Sequence, residues 1–204
     1  MANVNVQPRE IILVLCHSFF HDAFRLQRPV DVAKFKIWMS LRFVANLIIE
    51  RQAELPEGCI FAVTSKQVFE NFSQKFLGDK PSDKLKEAVE ILHNSITVLE
   101  GSAISKLSID DSVLVICDTL FSRSNYEPVL VSDIPKKVEK AKEFYQKKDP
   151  NAVIPYHIYS AVEAEPFLRG RFQDLSTIVD ERIRIGDASR QQTKIYKEKQ
   201  PTKT

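Results

Sequence analysis

The sequence predicts an α/β protein, with three α/β/α layers around a central, mostly parallel sheet. Three observations predict this. Ile11–Cys16 reads IILVLC, an unbroken apolar run of the kind needed by a strand covered on both faces. Cys59–Val63 and Val129–Val131 repeat that texture, and each is followed by a helical pattern. Strand-like runs alternating with helical periodicity are what a parallel crossover fold produces.

The elements follow in chain order. Ile11–Cys16 is the first strand. From Asp31 to Glu54, Phe35, Trp38, Leu41, Ala45 and Ile48 recur at steps of three and four, the spacing of a helix face. Ile37, Met39, Phe43, Val44, Leu47 and Ile49 widen that face, so this long helix is expected to be covered on more than one side. Asp31 suits its N-cap, and Pro56-Glu57-Gly58 ends it. Cys59–Val63 is the second strand. Thr64 or Ser65 then caps a helix with a core face of Val68, Phe72 and Phe76, closed by Gly78. Asp83–His93 is a further amphipathic helix, and Ile96–Leu99 a short strand. Ser108-Ile109-Asp110-Asp111 has the form of a capping box. The segment after it, Ser112–Phe121, is compatible with helix or strand on local grounds, because Val113, Val115 and Ile116 favour β; helix is expected, since a strand would leave only a turn before Val129. Asn125-Tyr126-Glu127-Pro128 reads as a turn, Val129–Val131 as a strand, and Pro135 as the first turn of a helix to Lys147. Ala152–Pro155 is expected to be a strand and Ser160–Leu168 a helix. Beyond Asp174 a helix to Ile185 gives way, after Gly186, to a polar, basic and disordered end.

Composition sets bounds. A chain of 204 residues with 44% hydrophobic content supports one compact core. We divide it into an α/β domain over residues 1–173 and a basic extension over 174–204. The net charge is +2, but Arg182–Thr204 alone carries seven Lys/Arg against two Asp/Glu, a local +5 that leaves −3 on the rest. Cys16, Cys59 and Cys117 are odd in number and lie in apolar runs, which fits buried hydrophobes in a reducing cytosol rather than disulfides or a zinc site. No apolar run is long enough for a membrane span, and the N-terminus lacks the pattern of a signal peptide. The five glycines are isolated, so a Rossmann or Walker phosphate loop is disfavoured, and no Gly-x-Ser-x-Gly elbow is present. His17 and His21, four residues apart, could share a transition metal; structural histidines are the simpler reading. Lys136, Lys137, Lys140, Lys142, Lys147 and Lys148 decorate one helix, as a solvated face does.

The most informative stretch is Ser108–Phe144. An acidic pair, Asp110 and Asp111, opens a helix. A strand then ends in Val131-Ser132-Asp133, and a further helix follows. A residue at the C-terminal end of a central parallel strand stands where open α/β sheets place their ligands. This order resembles the C-terminal half of PIN-domain nucleases, and as an order of elements the resemblance extends over Ile11–Leu168. It implies a ribonuclease centre in which carboxylates hold Mg²⁺ or Mn²⁺. Residue by residue, it implies catalytic roles for Asp133, Asp110, Glu70 and Asp22, and metal contacts for Asp110, Asp133 and Asp111.

The N-terminal half departs from the family pattern. In Leu15-Cys16-His17-Ser18-Phe19-Phe20, Cys16 stands where the family has its first Asp, and Asp22 is the substitute within reach. In Thr64–Phe72 the residue before Phe72 is Asn71, not the family's Glu. Either Glu70 serves through a shifted helix start or the acid has become Asn. Asp110, Asp111 and Asp133 also suit helix starts, where carboxylates satisfy free N–H groups. The resemblance therefore implies a PIN-like protein with a degenerate site, acting on or binding RNA in the cytoplasm. The alternative is a non-catalytic α/β protein that binds a partner, using its basic tail to contact nucleic acid or another protein; a homo-oligomer is the other partner considered.

Overall fold

The apolar run of the first strand is explained by its position. β1 (Glu10–Leu15) is the middle strand of a five-stranded, all-parallel sheet of order β3-β2-β1-β4-β5. Leu13 pairs with Ala62 on one side and Val129 on the other, and Ile12–Leu15 are fully enclosed. The computed structural model describes residues 9–23, 29–77, 81–123, 125–132, 136–147 and 149–198. In chain order the elements after β1 are α1 (His17–Ala23), α2 (Val32–Glu54), β2 (Ala62–Ser65), α3 (Lys66–Leu77), α4 (Asp83–Ser95) and β3 (Thr97–Leu99). A 3₁₀ turn at Ile104–Lys106 leads to α5 (Ile109–Phe121), β4 (Tyr126–Val131), α6 (Lys136–Gln146), β5 (His157–Tyr159), α7 (Ala161–Arg171) and α8 (Gln173–Glu198). Helices flank the sheet, giving the expected three layers. Among the described residues no helix is long and apolar enough to cross a membrane.

The wide apolar face of α2 is used on several sides. The helix packs against α1, α4, α7 and α8, with Leu41, Phe43, Val44, Leu47 and Ile48 buried. Asp31 caps it by accepting a hydrogen bond from the Lys34 N–H at 3.0 Å.

Five boundaries differ from the sequence reading, each for a physical reason. β2 starts later than Cys59. Gly58, at φ 84°, turns the chain there, and Gln52 of α2 holds the next residues by donating to the Cys59 carbonyl and accepting from the Phe61 N–H. Cys59 is consequently exposed, whereas Cys16 and Cys117 are buried as expected. The strand instead runs through the polar Thr64 and Ser65. Both are buried because their hydroxyls are partnered, Thr64 donating to the Leu15 carbonyl at 2.8 Å and Ser65 bonding Ser112 at 2.8 Å. The expected turn at Tyr126–Pro128 is the start of β4. Pro128 is tolerated because β5 pairs only from Val129 onward, leaving that position flanked by β1 alone. Ala152–Pro155 is not a strand: β5 lies at His157–Tyr159, and Val153 is 83% exposed. Finally, α8 does not stop at Gly186 but continues to Glu198, and Leu175, Val179 and Ile183 seat its first half in the core.

Candidate functional site

The strand order reverses direction between β1 and β4. β2 and β3 add on one side of β1, and β4 and β5 on the other. The C-terminal ends of β1 and β4 therefore bound the crevice in which open α/β sheets bind ligands. Leu15 and Val131 pair in register there, so Cys16 and Ser132 follow at the same level.

Cys16 lies at the junction of β1 and α1. Phe19 and Phe20 pull α1 onto the core, Phe20 meeting the Phe69 and Phe72 rings at centroid distances of 5.8 and 5.3 Å. That turn buries Cys16 completely, with its Sγ 2.8 Å from the Ser18 hydroxyl. His17, the first residue of α1, remains partly accessible at the crevice.

The two acids at the head of α5 have different fates. Ser108 is the N-cap; its Oγ accepts from the Asp111 N–H at 3.1 Å and donates to Asp111 Oδ2 at 2.8 Å. Asp111 is thereby engaged at the helix start. Asp110, one residue earlier and turned by about 100°, reaches the crevice. Its Oδ1 lies 3.9 Å from His17 Nδ1, and its Oδ2 accepts a hydrogen bond from Lys140 Nζ of α6. The hydrogen bond and the charge of Asp110 raise the Lys140 pKa above its ordinary value, with smaller contributions from Asp111 and Glu143.

Glu70 takes another direction. It is exposed on α3 and lines a cleft of about 350 Å³ past the end of β3, beside the Lys66–Glu100 ion pair. Among the described residues no group of three His, Cys, Asp or Glu side chains is placed to hold a metal ion, so Asp110, Asp111 and Glu70 are not gathered about one point, and neither are His17 and His21 with a third ligand. Asp133 and the side chain of Asp22 lie outside the described residues.

Lys140 is the member of this constellation that the sequence reading took for solvated surface. Its signal was spacing: Ala141 and Tyr145 mark the buried face of α6, and Lys140 sits at the edge of that face, within reach of the α5 start. α5 and α6 also close on a polar cluster of Cys117, Asp118, Tyr145 and Tyr156. Tyr145 donates to Asp118 at 3.0 Å, and burial pushes the Cys117 thiol and the Tyr145 and Tyr156 hydroxyls well above their ordinary pKa values. Comparison of the chain with protein families, curated proteins and solved structures gives no match.

Proposed function

We propose that this chain is a PIN-like protein, related to Mg²⁺-dependent ribonucleases, whose catalytic centre is degenerate and which binds RNA without cleaving it. The observation that carries the reading is that Asp110 and Cys16 both stand by the C-terminal end of β1, each with a different partner. One family acid stands at the crevice, and the strand end that should supply another supplies a buried thiol. Mg²⁺ and Mn²⁺ take hard oxygen donors, and a thiol is a poor substitute. The donor set of the described residues does not fit such an ion: Asp111 is spent on the Ser108 cap, Glu70 faces the cleft by β3, and Asp110 already holds an ammonium. Metal-generated hydroxide is the main source of rate in this chemistry, so its loss removes cleavage and leaves binding.

Binding has a separate source. Residues 190–204 carry five Lys/Arg and one Glu, a local +4 that supplies salt-dependent attraction to a polyanion. The three free thiols suit a reducing cytosol, where we place the protein.

Two assays on the full chain test the reading. RNA cleavage is measured with Mg²⁺ and with Mn²⁺, and RNA binding is measured across a salt series. The expected result is no cleavage above that of Asp110→Asn, with affinity that falls as salt rises. Robust metal-dependent cleavage, abolished by Asp110→Asn or Asp133→Asn, overturns the degenerate centre. Absent or salt-insensitive RNA binding overturns the RNA ligand and favours a protein partner.

A further inference from the structure

The switch-point crevice already contains a cation supplied by the chain. We infer that Lys140 is the resident counter-ion of Asp110, occupying the electrostatic role that a divalent metal has in an active centre of this type, so that the site is closed to metals by its own side chain. The inference rests on the reading of the crevice as a degenerate nuclease centre, and it names what replaced the metal.

Three features support it. The first is origin. Asp110 heads α5 and Lys140 lies thirty residues later on α6, so their meeting is made by the packing of α6 beside α5 rather than by local helix spacing. The second is asymmetry. Asp110 is 22% exposed and Lys140 50%, so the carboxylate is the deeper partner and the lysine the more solvated one. The third is the neighbourhood. His17 Nδ1 lies 3.9 Å from the other carboxylate oxygen, so both Asp110 oxygens face nitrogen groups of the chain. A metal would have to displace an ammonium carried on a half-exposed side chain, which keeps part of its hydration while it holds the carboxylate. Mg²⁺ gives up its water reluctantly and needs several anionic oxygens in return.

Removing the ammonium takes away a unit positive charge a few ångströms from where a divalent ion would sit. Even at the dielectric of water that repulsion amounts to about tenfold in affinity. The experiment is a Mn²⁺ titration followed by electron paramagnetic resonance on the full-length wild type and on Lys140→Gln, Lys140→Arg and the double variant Lys140→Gln/Asp110→Asn. Circular dichroism confirms that each is folded. Lys140→Gln should bind Mn²⁺ at least about tenfold more tightly than wild type. Lys140→Arg should match wild type, and the double variant should lose the gain. Equal affinity of wild type and Lys140→Gln overturns the inference, as does a gain that survives Asp110→Asn. The outcome is separable from the parent reading. Metal-dependent RNA cleavage by wild type defeats the degenerate centre, whereas a non-cleaving wild type with no gain in Lys140→Gln defeats only the role given to Lys140.

Discussion

At the scale of single residues, small hydroxyl side chains set the geometry of the sheet's C-terminal edge. Ser65 is buried at the end of β2, where its Oγ accepts from the Val68 N–H at 3.2 Å and bonds Ser112. Ser112 also donates to the Ile109 carbonyl at 2.7 Å, so it keeps a partner when Ser65 is removed. Ser65→Ala therefore leaves chiefly the α3 cap unmade and should cost about 1–2 kcal/mol in urea denaturation. Ser160 and Glu163 form a full capping box at α7. The Ser160 backbone N–H and then its hydroxyl donate to the Glu163 carboxylate, each at 2.8 Å, and hold its pKa below the ordinary 4.5. A depressed folded pKa means stabilisation that is present above the unfolded pKa and is lost as pH falls through the folded value. Glu163→Gln should thus be less stable than wild type at neutral pH, by well under 1 kcal/mol because the group is largely solvated. The difference should shrink as melting curves are repeated at successively lower pH, and vanish once the folded carboxylate is protonated.

At the scale of elements, the contacts of α2 with α7 and α8 decide how much of the C-terminal segment is structural. Arg169 of α7 donates to Glu165 and makes a bidentate pair with Asp180 of α8, while its guanidinium lies 3.9 Å from the Phe43 ring centroid. Arg42 of α2 pairs with Asp187, and Arg182 of α8 with Glu50 of α2. A planar fork satisfies two carboxylates and a ring at once, and an ammonium cannot. Arg169→Lys should therefore destabilise almost as much as Arg169→Ala, by about 1–2 kcal/mol in chemical denaturation. Ile183 is 5% exposed, so Ile183→Ala should cost about 2–4 kcal/mol. A chain ending at Glu181 would lose that anchor and confound any binding assay. One ending at Ser189 keeps Ile183 and Asp187, and should retain the wild-type melting temperature while its RNA affinity and salt slope both fall.

At the scale of the whole molecule, the reversal of strand order between β1 and β4 concentrates chemistry at one edge. Leu15 and Val131 end level with each other, and α1, α5 and α6 bring His17, Asp110 and Lys140 to that line. The same sheet explains the tolerance expected elsewhere. Val14 is fully enclosed in the central strand, so Val14→Ala should cost about 2–3 kcal/mol, whereas Val153→Ala, at an 83% exposed position, should lie within about 0.5 kcal/mol of wild type by thermal melting.

Local chemistry in the sequence was enough for the α/β class, the buried central strands, the long α2 with its Asp31 cap, and the Ser108 start of α5. Each of these follows from periodicity, from continuous apolarity or from a hydroxyl or carboxylate one turn before its partner N–H, and such signals are contained within a few residues. Tertiary structure decided the rest, because those outcomes depend on partners distant in the chain. Thr64 and Ser65 become strand only because Leu15 and Ser112 satisfy their hydroxyls. Pro128 becomes strand only because β5 starts one residue later. α8 extends through Gly186 on a surface that α2 and α7 supply. Asp110 and Asp111 are chemically identical neighbours in sequence. The helix start claims one, and the arrival of α6 gives the other its lysine.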